Sequence, residues 1–170
     1  MNTSTPPDDD HSGSRVIPAV AASIYDALVD SSAVERWRAP AGMSCRVLRF
    51  DPRPGGEFQL ELYYGVDSDS RYAKTTKNVD RLRGMFAELV AGERIVETVE
   101  FDSDDPAYHG RMTVTTTLSP VPGGTEVRMV CDNVPSGIAA ADHRAGIAST
   151  LENLERVVLE RGSGESRPSA

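Results

Sequence analysis

A tryptophan and a pair of glycines, about twenty residues apart, constrain the fold of this chain more than any other feature of its sequence. Trp37 ends a stretch with the character of two short helices, and Gly55-Gly56 separates two segments that resemble β-strands. Glycine pairs of this kind allow a tight turn between strands. The order predicts a helical pair followed by a strand, a turn and a second strand, and it names no substrate.

The helical pair is predicted from spacing and capping residues. Residues 22–30 place apolar side chains as an amphipathic helix does, at Ile24, Tyr25, Leu28 and Val29. Ser31 or Ser32 can cap the second helix, and Glu35 follows Ser32 by three residues, as in a capping box. We expect this second helix to end near Trp37.

Alternating apolar and polar residues predict a sheet with one buried face. In the clearest segment, residues 57–64, the apolar positions are Phe58, Leu60, Leu62 and Tyr64. Further strands are expected at residues 15–19, 45–51, 79–90, 94–101, 109–118 and 125–132. The strand at 79–90 is expected to break or kink near Gly84. The polar stretch 65–78 is longer than a usual hairpin loop and predicts a mobile excursion.

A long amphipathic helix is predicted at residues 139–161, with an apolar stripe at Ile147, Leu151, Leu154 and Val158. Gly162 is expected to end it. The folded part is then 14–161, with disordered tails at 1–13 and 162–170. The fold class is α+β, because six antiparallel strands after the short helices need a cover for their apolar face, and the last helix can supply it.

Composition excludes several classes of function. The chain of 170 residues has a net charge of −8, and its sequence shows no basic stripe, which argues against nucleic acid and against an anionic membrane surface. No apolar run is long enough for a membrane span, and the polar N-terminus does not resemble a signal peptide, so a cytoplasmic location is expected. Cys45 and Cys131 lack metal-ligand spacing and are predicted to be small buried thiols.

The order of these segments resembles a known family, the activator of heat-shock-protein ATPase homologues, within the SRPBCC (START/Bet v-type) superfamily. The helical pair at 29–37 and the glycine turn at 50–56 carry the first part of the resemblance. The remaining matches are Gly84 with 93–96, the hairpin 118–120 with 124–127, and His143, Gly146, Leu151 and Leu154 in the last helix. The resemblance covers roughly residues 15–160.

This resemblance implies a helix-grip fold, in which a curved antiparallel sheet of about six or seven strands wraps around the long C-terminal helix. It also implies a cavity between sheet and helix that binds apolar or amphipathic molecules. Some members of the superfamily are cyclases or hydrolases of polyketide-type substrates, and many only bind. Two departures affect the cavity: Ile147 stands where the family often has tryptophan, and the 65–78 loop is longer than typical.

His143 is the ionisable residue of most interest, because it precedes Ile147 by four positions on the same helix stripe. It can act at the cavity as a binding group or proton shuttle, or it can be a helix-start histidine bonded to a neighbouring loop. His109 is expected at an exposed strand end and His11 in the tail. The candidate ligand-binding residues are Trp37, Tyr64, Phe86, Met112, His143 and Ile147.

Arg46 or Arg49 can anchor a carboxylate in the cavity, although alternation does not say which of them faces inwards. No metal and no cofactor are predicted, since the histidines show no ligand spacing. The leading hypothesis is a non-catalytic protein that binds a small apolar or amphipathic molecule. The alternatives are a cyclase- or hydrolase-like enzyme using His143 as acid/base, and a co-chaperone or protein-interaction module. The sequence leaves a homodimer open.

Overall fold

Within the described residues, seven strands and three α-helices follow one another in the order expected from the sequence. The computed structural model describes residues 11–65 and 78–165. The strands are β1 (Ser12–Ile17), β2 (Met43–Phe50), β3 (Glu57–Tyr64), β4 (Val79–Val90), β5 (Arg94–Phe101), β6 (Met112–Val121) and β7 (Gly124–Asp132). The helices are α1 (Ala21–Leu28), α2 (Ser31–Trp37) and α3 (Ala140–Glu165), with a short 3-10 helix at Pro106–Tyr108.

The strands form a single antiparallel sheet in the order β1-β7-β6-β5-β4-β3-β2. Strands β2 to β7 form a meander, and β1 returns to pair with β7, so that β1 and β2 are the two edges. The sheet is curled and holds α3 on one face. This arrangement confirms the predicted helix-grip fold.

The glycine pair turns the chain for a steric reason. Gly55 has a φ of +82°, which L side chains rarely adopt. A Cβ on Gly56 would lie 1.9 Å from the carbonyl oxygen of Asp51, so only glycine fits there. The backbone N–H groups of Arg53 and Gly56 donate within the turn, to Asp51 and Arg53. The prediction that these glycines shape the sheet is confirmed.

Of the predicted break or kink near Gly84, the break is wrong, because β4 runs continuously from Val79 to Val90. A Cβ on Gly84 would lie 2.3 Å from a ring carbon of Phe58, so this glycine makes room for the aromatic ring on the neighbouring strand. The irregularity of β4 lies further on, between Phe86 and Glu88, where the register with β5 shifts.

The cap of α2 also differs from the prediction. Asp30 is the N-cap, and its Oδ1 accepts from the backbone N–H of Ser32 at 2.9 Å and of Ala33 at 3.4 Å. Glu35 forms no capping box, because its Oε1 accepts from the backbone N–H of Val47 on β2 at 2.9 Å. The capping residue is therefore Asp30, and not Ser31 or Ser32 as predicted.

The ordered elements extend beyond the limits expected for the folded part. Strand β1 begins at Ser12, three residues before the expected start, and α3 continues past Gly162 to Glu165. Strand β6 begins at Met112, three residues later than expected, because the 3-10 helix precedes it. The tail residues 1–10 and 166–170 and most of the 65–78 stretch lie outside the described residues.

Candidate ligand cavity

A cavity of about 610 Å³ lies between the sheet and the first half of α3. Strands β4 to β7 supply its apolar wall, through Leu82, Val99, Phe101, Met112, Val114 and Met129. The segment that leads into α3 forms the opposite side, where the backbone N–H of Gly137 donates to the carbonyl of Ala107 at 2.8 Å.

The cavity exists because the first half of α3 carries small side chains. Ala145 and Gly146 face the cavity, and a Cβ on Gly146 would meet only Pro40, at 3.8 Å. Ile147 is the first large side chain of the helix to be buried, and it lies against Gly13 of β1. Further along, Leu151, Leu154, Val157 and Val158 fill the space beneath the helix. The helix therefore packs tightly at one end and leaves room at the other.

Trp37 lies at the inner end of the cavity, at the end of α2. Its side chain is 2% exposed, and its Nε1–H donates to the carbonyl of Ala27 at 2.9 Å. The hydrogen bond satisfies the indole while the ring contributes to the cavity wall. Trp37 thus joins α2 to α1 and contributes to the cavity lining.

Next to Trp37, Arg38 forms a buried ion pair with Glu97 of β5. Its Nη1 donates to Oε1 at 3.0 Å and to Oε2 at 3.4 Å, and the two side chains are only 16% and 8% exposed. Burial on its own would lower the pKa of Arg38, but the charge of Glu97 and the hydrogen bond to it outweigh burial, so the pKa is raised. Arg38 therefore stays charged beside Glu97, next to the apolar wall of the cavity.

Two aromatic rings hold the guanidinium of Arg38 in place. Its central carbon lies 5.7 Å from the centre of the Trp37 ring and 5.8 Å from that of Phe58. Distances of this size are typical of cation–π contacts. The orientation of the arginine is therefore set by the core of the protein as well as by Glu97.

His143 lies near the mouth of the cavity and is bonded to His11. The two Nδ1 atoms are 2.8 Å apart, and the ring centres are 5.0 Å apart with the rings tilted by 54°. His11 is held there because its carbonyl accepts from the backbone N–H of Cys131, which extends the β1–β7 ladder. A histidine that the sequence placed in the tail therefore contacts the most interesting histidine of the helix.

Only part of the predicted site comes together. Trp37, Met112, His143 and Ile147 line the cavity. Phe86 instead packs in the core against Phe50 and Phe58, with ring centres 5.5 Å and 5.2 Å away. The Tyr64 hydroxyl donates to the buried Asp80 at 2.9 Å, away from the described cavity lining, and burial raises the pKa of this tyrosine. Ligand binding by these residues stays a prediction.

The other polar candidates lie on the surface. Arg46 and Arg49 are exposed, and Arg49 pairs with Glu57 at 2.8 Å. The Nε2 of His109 lies 2.7 Å from the carbonyl oxygen of Ser103, outside the cavity. The arginine that reaches the cavity is Arg38, which was not among those expected.

The two cysteines are free and half-buried, and they differ in position. Cys131 lines the cavity, whereas Cys45 does not. Burial raises the pKa of Cys45 to about 11 and that of Cys131 to about 12, against the opposing effect of Arg38. Both side chains are therefore neutral thiols, half-buried where the sequence predicted buried ones.

A family model described as "Activator of Hsp90 ATPase homolog 1-like protein" matches residues 18–158. The chain belongs to this family. The resemblance based on the helical pair, the glycine turn and the last helix is thereby confirmed. Among curated proteins, no sequence matches the chain significantly.

Solved structures similar to this AHSA1-like chain include three bacterial proteins. Protein CV1439 from Chromobacterium violaceum is 30% identical, with a TM-score of 0.76 over 86% of this chain and 94% of that one. An AHSA1-like protein from Aeromonas hydrophila is 20% identical, with a TM-score of 0.65 over 94% and 98%. A protein from Arthrobacter aurescens is 15% identical, with a TM-score of 0.73 over 94% and 93%. The last two are evidence for the fold alone.

Sequence reasoning missed the Arg38–Glu97 pair in this AHSA1-like domain, although a signal was present. Glu97 lies in phase with the apolar residues Ile95 and Val99 of β5. A charged residue at an inward position needs a partner, because burying an unpaired charge is costly. The alternation alone could have identified Glu97, although not Arg38 as its partner.

No metal centre or membrane helix is found in the part of the chain that the structure describes. No three of its histidine, cysteine, aspartate and glutamate side chains come together as metal ligands would. No helix within residues 11–65 and 78–165 is both long and apolar enough to cross a bilayer.

Proposed function

We propose that this protein binds a small apolar or amphipathic molecule in the cavity between the sheet and α3. The observation that carries the proposal is the cavity itself, whose volume of about 610 Å³ falls within the usual range of ligand sites. Natural cores are packed with few voids larger than a water molecule. A space of this size beneath a helix of small residues therefore favours a role in binding.

The lining favours a molecule with a substantial apolar part. At about 30 Å³ for each water, the cavity has room for roughly 20 waters. Most of them would lie against apolar side chains such as Val99, Met112 and Met129, which offer no hydrogen bonds. Replacing those waters with an apolar body releases them to bulk solvent, which drives association.

Fluorescence of Trp37 provides a direct test, since it is the only tryptophan in the chain and lines the cavity. Titration with the neutral apolar dye N-phenyl-1-naphthylamine is expected to increase dye emission and to change the Trp37 emission with one saturable curve. A linear, non-saturating response of both signals would overturn the proposal.

A matched pair of variants locates the binding. Gly146→Phe places a ring beside Pro40 at the cavity, whereas Gly162→Phe adds the same ring to the far end of the same helix, where nothing lies within 4 Å of the new Cβ. We expect the first variant to lower dye affinity at least tenfold and the second to leave it unchanged. Equal effects of the two would place the dye elsewhere.

A catalytic role is the second candidate, because His143 lies at the cavity together with Arg38. In a cyclase- or hydrolase-like reaction His143 would act as acid/base. Its test is His143→Ala with a polyketide-type substrate that wild-type protein converts: unchanged turnover in the variant would rule out this role.

A further inference from the structure

We propose that the inner end of the cavity selects a ligand with an uncharged polar head, a hydroxyl or carbonyl group, over one with a carboxylate. The Arg38–Glu97 pair is the group that recognises this head. The inference rests on the proposed binding function and names the class of molecule that the cavity takes.

The first argument is that Arg38 has N–H groups that are not bonded to Glu97. An arginine carries N–H groups on Nε, Nη1 and Nη2, and here only Nη1 is bonded to Glu97. Among the described residues, no fully shielded side-chain nitrogen or oxygen lacks a hydrogen-bond partner. The nitrogens Nε and Nη2 are therefore open to the cavity that Arg38 lines. They can donate to an oxygen of a ligand without breaking the ion pair.

The second argument is the charge already present. Arg38 and Glu97 neutralise each other, and Asp142 near the start of α3 adds a negative charge to the described lining. A carboxylate beside Arg38 would also lie beside Glu97, and two like charges repel strongly away from bulk water. An uncharged oxygen avoids this repulsion and still accepts from Arg38. A hydroxyl can, in addition, donate to Glu97.

The third argument is the position of the pair. Arg38 and Glu97 lie next to the buried Trp37, and the strands β4 to β7 line the same cavity with apolar side chains such as Val99 and Met112. A ligand with its head at Arg38 therefore places its apolar body along this wall.

Displacement of N-phenyl-1-naphthylamine tests the preference with three heads on one chain: decanol, decanoate and decylammonium, at about pH 8 and ~0.15 M salt. One added hydrogen bond to a charged group corresponds to roughly tenfold or more in affinity. We expect decanol to displace the dye at a concentration at least about tenfold below that of decanoate. Displacement by decanoate as readily as by decanol would overturn the inference.

Variants of the pair identify the group responsible. Glu97→Gln removes the repelling charge and leaves Arg38 charged, so the preference is expected to shift at least about tenfold towards decanoate. Arg38→Met combined with Glu97→Leu removes both charges, and we expect the three heads to compete equally while the dye still binds. Arg36→Met is the control, because Arg36 is exposed on α2, two residues before Arg38. This variant is expected to keep the wild-type preference.

The outcomes separate the two proposals. Absence of saturable dye binding to the wild-type protein contradicts the binding function itself. Saturable dye binding with no preference among the heads contradicts only the role of Arg38 and Glu97. Circular dichroism of each variant confirms that it is folded, and the double variant provides the test if Glu97→Gln does not fold, since apolar replacement of a buried ion pair is often tolerated.

Discussion

The two halves of α3 cover the same sheet, but one packs closely against it and the other leaves a cavity. The second half places Leu154, Val157 and Val158 in the core, all at most 4% exposed. The first half presents alanines and Gly146 above a cavity of about 610 Å³. The difference shows that side-chain volume along one helix is enough to divide the interior into a packed region and an open one.

Ion pairs strengthen the contrast. Around the second half, Glu155, Glu160 and Arg161 pair with Arg15, Arg36 and Asp30 on the neighbouring elements. These exposed pairs contribute little energy each. The first half instead lines the same cavity as the buried Arg38–Glu97 pair. Stability is therefore expected to reside in the packed region and chemical selectivity in the open one.

The largest expected effect is a loss of stability when a side chain of the packed region is truncated. Leu154→Ala removes a side chain that is fully buried and is expected to cost about 4 kcal/mol in the free energy of unfolding, because a closed void remains. Leu82→Ala makes the same change in a side chain that already borders the cavity, and about 2 kcal/mol is expected. Urea unfolding followed by circular dichroism measures both. Equal losses in the free energy of unfolding of the two variants would contradict the division of the interior into a packed and an open region.

The next effect concerns the ion pair in the open region. Arg38→Met leaves Glu97 buried without its partner and is expected to cost about 3 kcal/mol of stability. The double variant Arg38→Met with Glu97→Leu should recover most of this loss, since no charge is then left unpaired. A double variant no more stable than the single one in urea unfolding would show that the pair has a structural role beyond charge balance.

A smaller effect is expected at the rim of the packed region. Asp30 caps α2 and pairs with Arg161 of α3, so Asp30→Ala should cost about 1 kcal/mol. The hydrogen bond from Ser32 lowers the pKa of Asp30 below its ordinary 3.8. Its contribution is therefore fully present above about pH 4 and is lost as the pH falls through the lowered value. The difference in Tm between wild type and Asp30→Ala should shrink on acidification; a constant difference would contradict this.

The smallest expected effect is a difference between the alkylation rates of the two cysteine thiols when a ligand fills the cavity. With pKa values of about 11 and about 12, Cys45 and Cys131 should both react slowly with iodoacetamide at about pH 8, and faster as the pH rises. A bound cavity ligand should slow only Cys131, because only this thiol lines the cavity. Mass spectrometry of the alkylated peptides measures the two rates. Equal protection of both thiols would show that the ligand tightens the whole fold.

Alternation along the strands and the stripe on the last helix were enough to predict the sheet, the helix and their order. The buried face of β3 at Phe58 and Leu60 followed directly from a period of two. The N-cap did not, because Asp30, Ser31 and Ser32 are adjacent residues that can all cap a helix. Choosing among them requires the backbone angles at the helix start.

The site was harder to predict than the fold. Periodicity assigns a residue to a face, but it does not say whether the opposite element fills the space above that face. Phe86 and Met112 are both buried strand residues, yet only Met112 lines the cavity. Pairs such as Arg38 with Glu97, or His11 with His143, join residues 59 and 132 positions apart, which no local pattern reveals.

The pairing of β1 with β7 has a consequence for how the protein is made. Residues such as Ser12 and Val130 become neighbours although about 120 positions separate them. At about 5–20 residues per second, β1 therefore waits roughly 6–24 s for its partner strand to be synthesised. Throughout that time the nascent chain carries an unpaired strand edge that other chains can join. We expect aggregation during translation, rather than instability afterwards, to be the main risk in producing this protein.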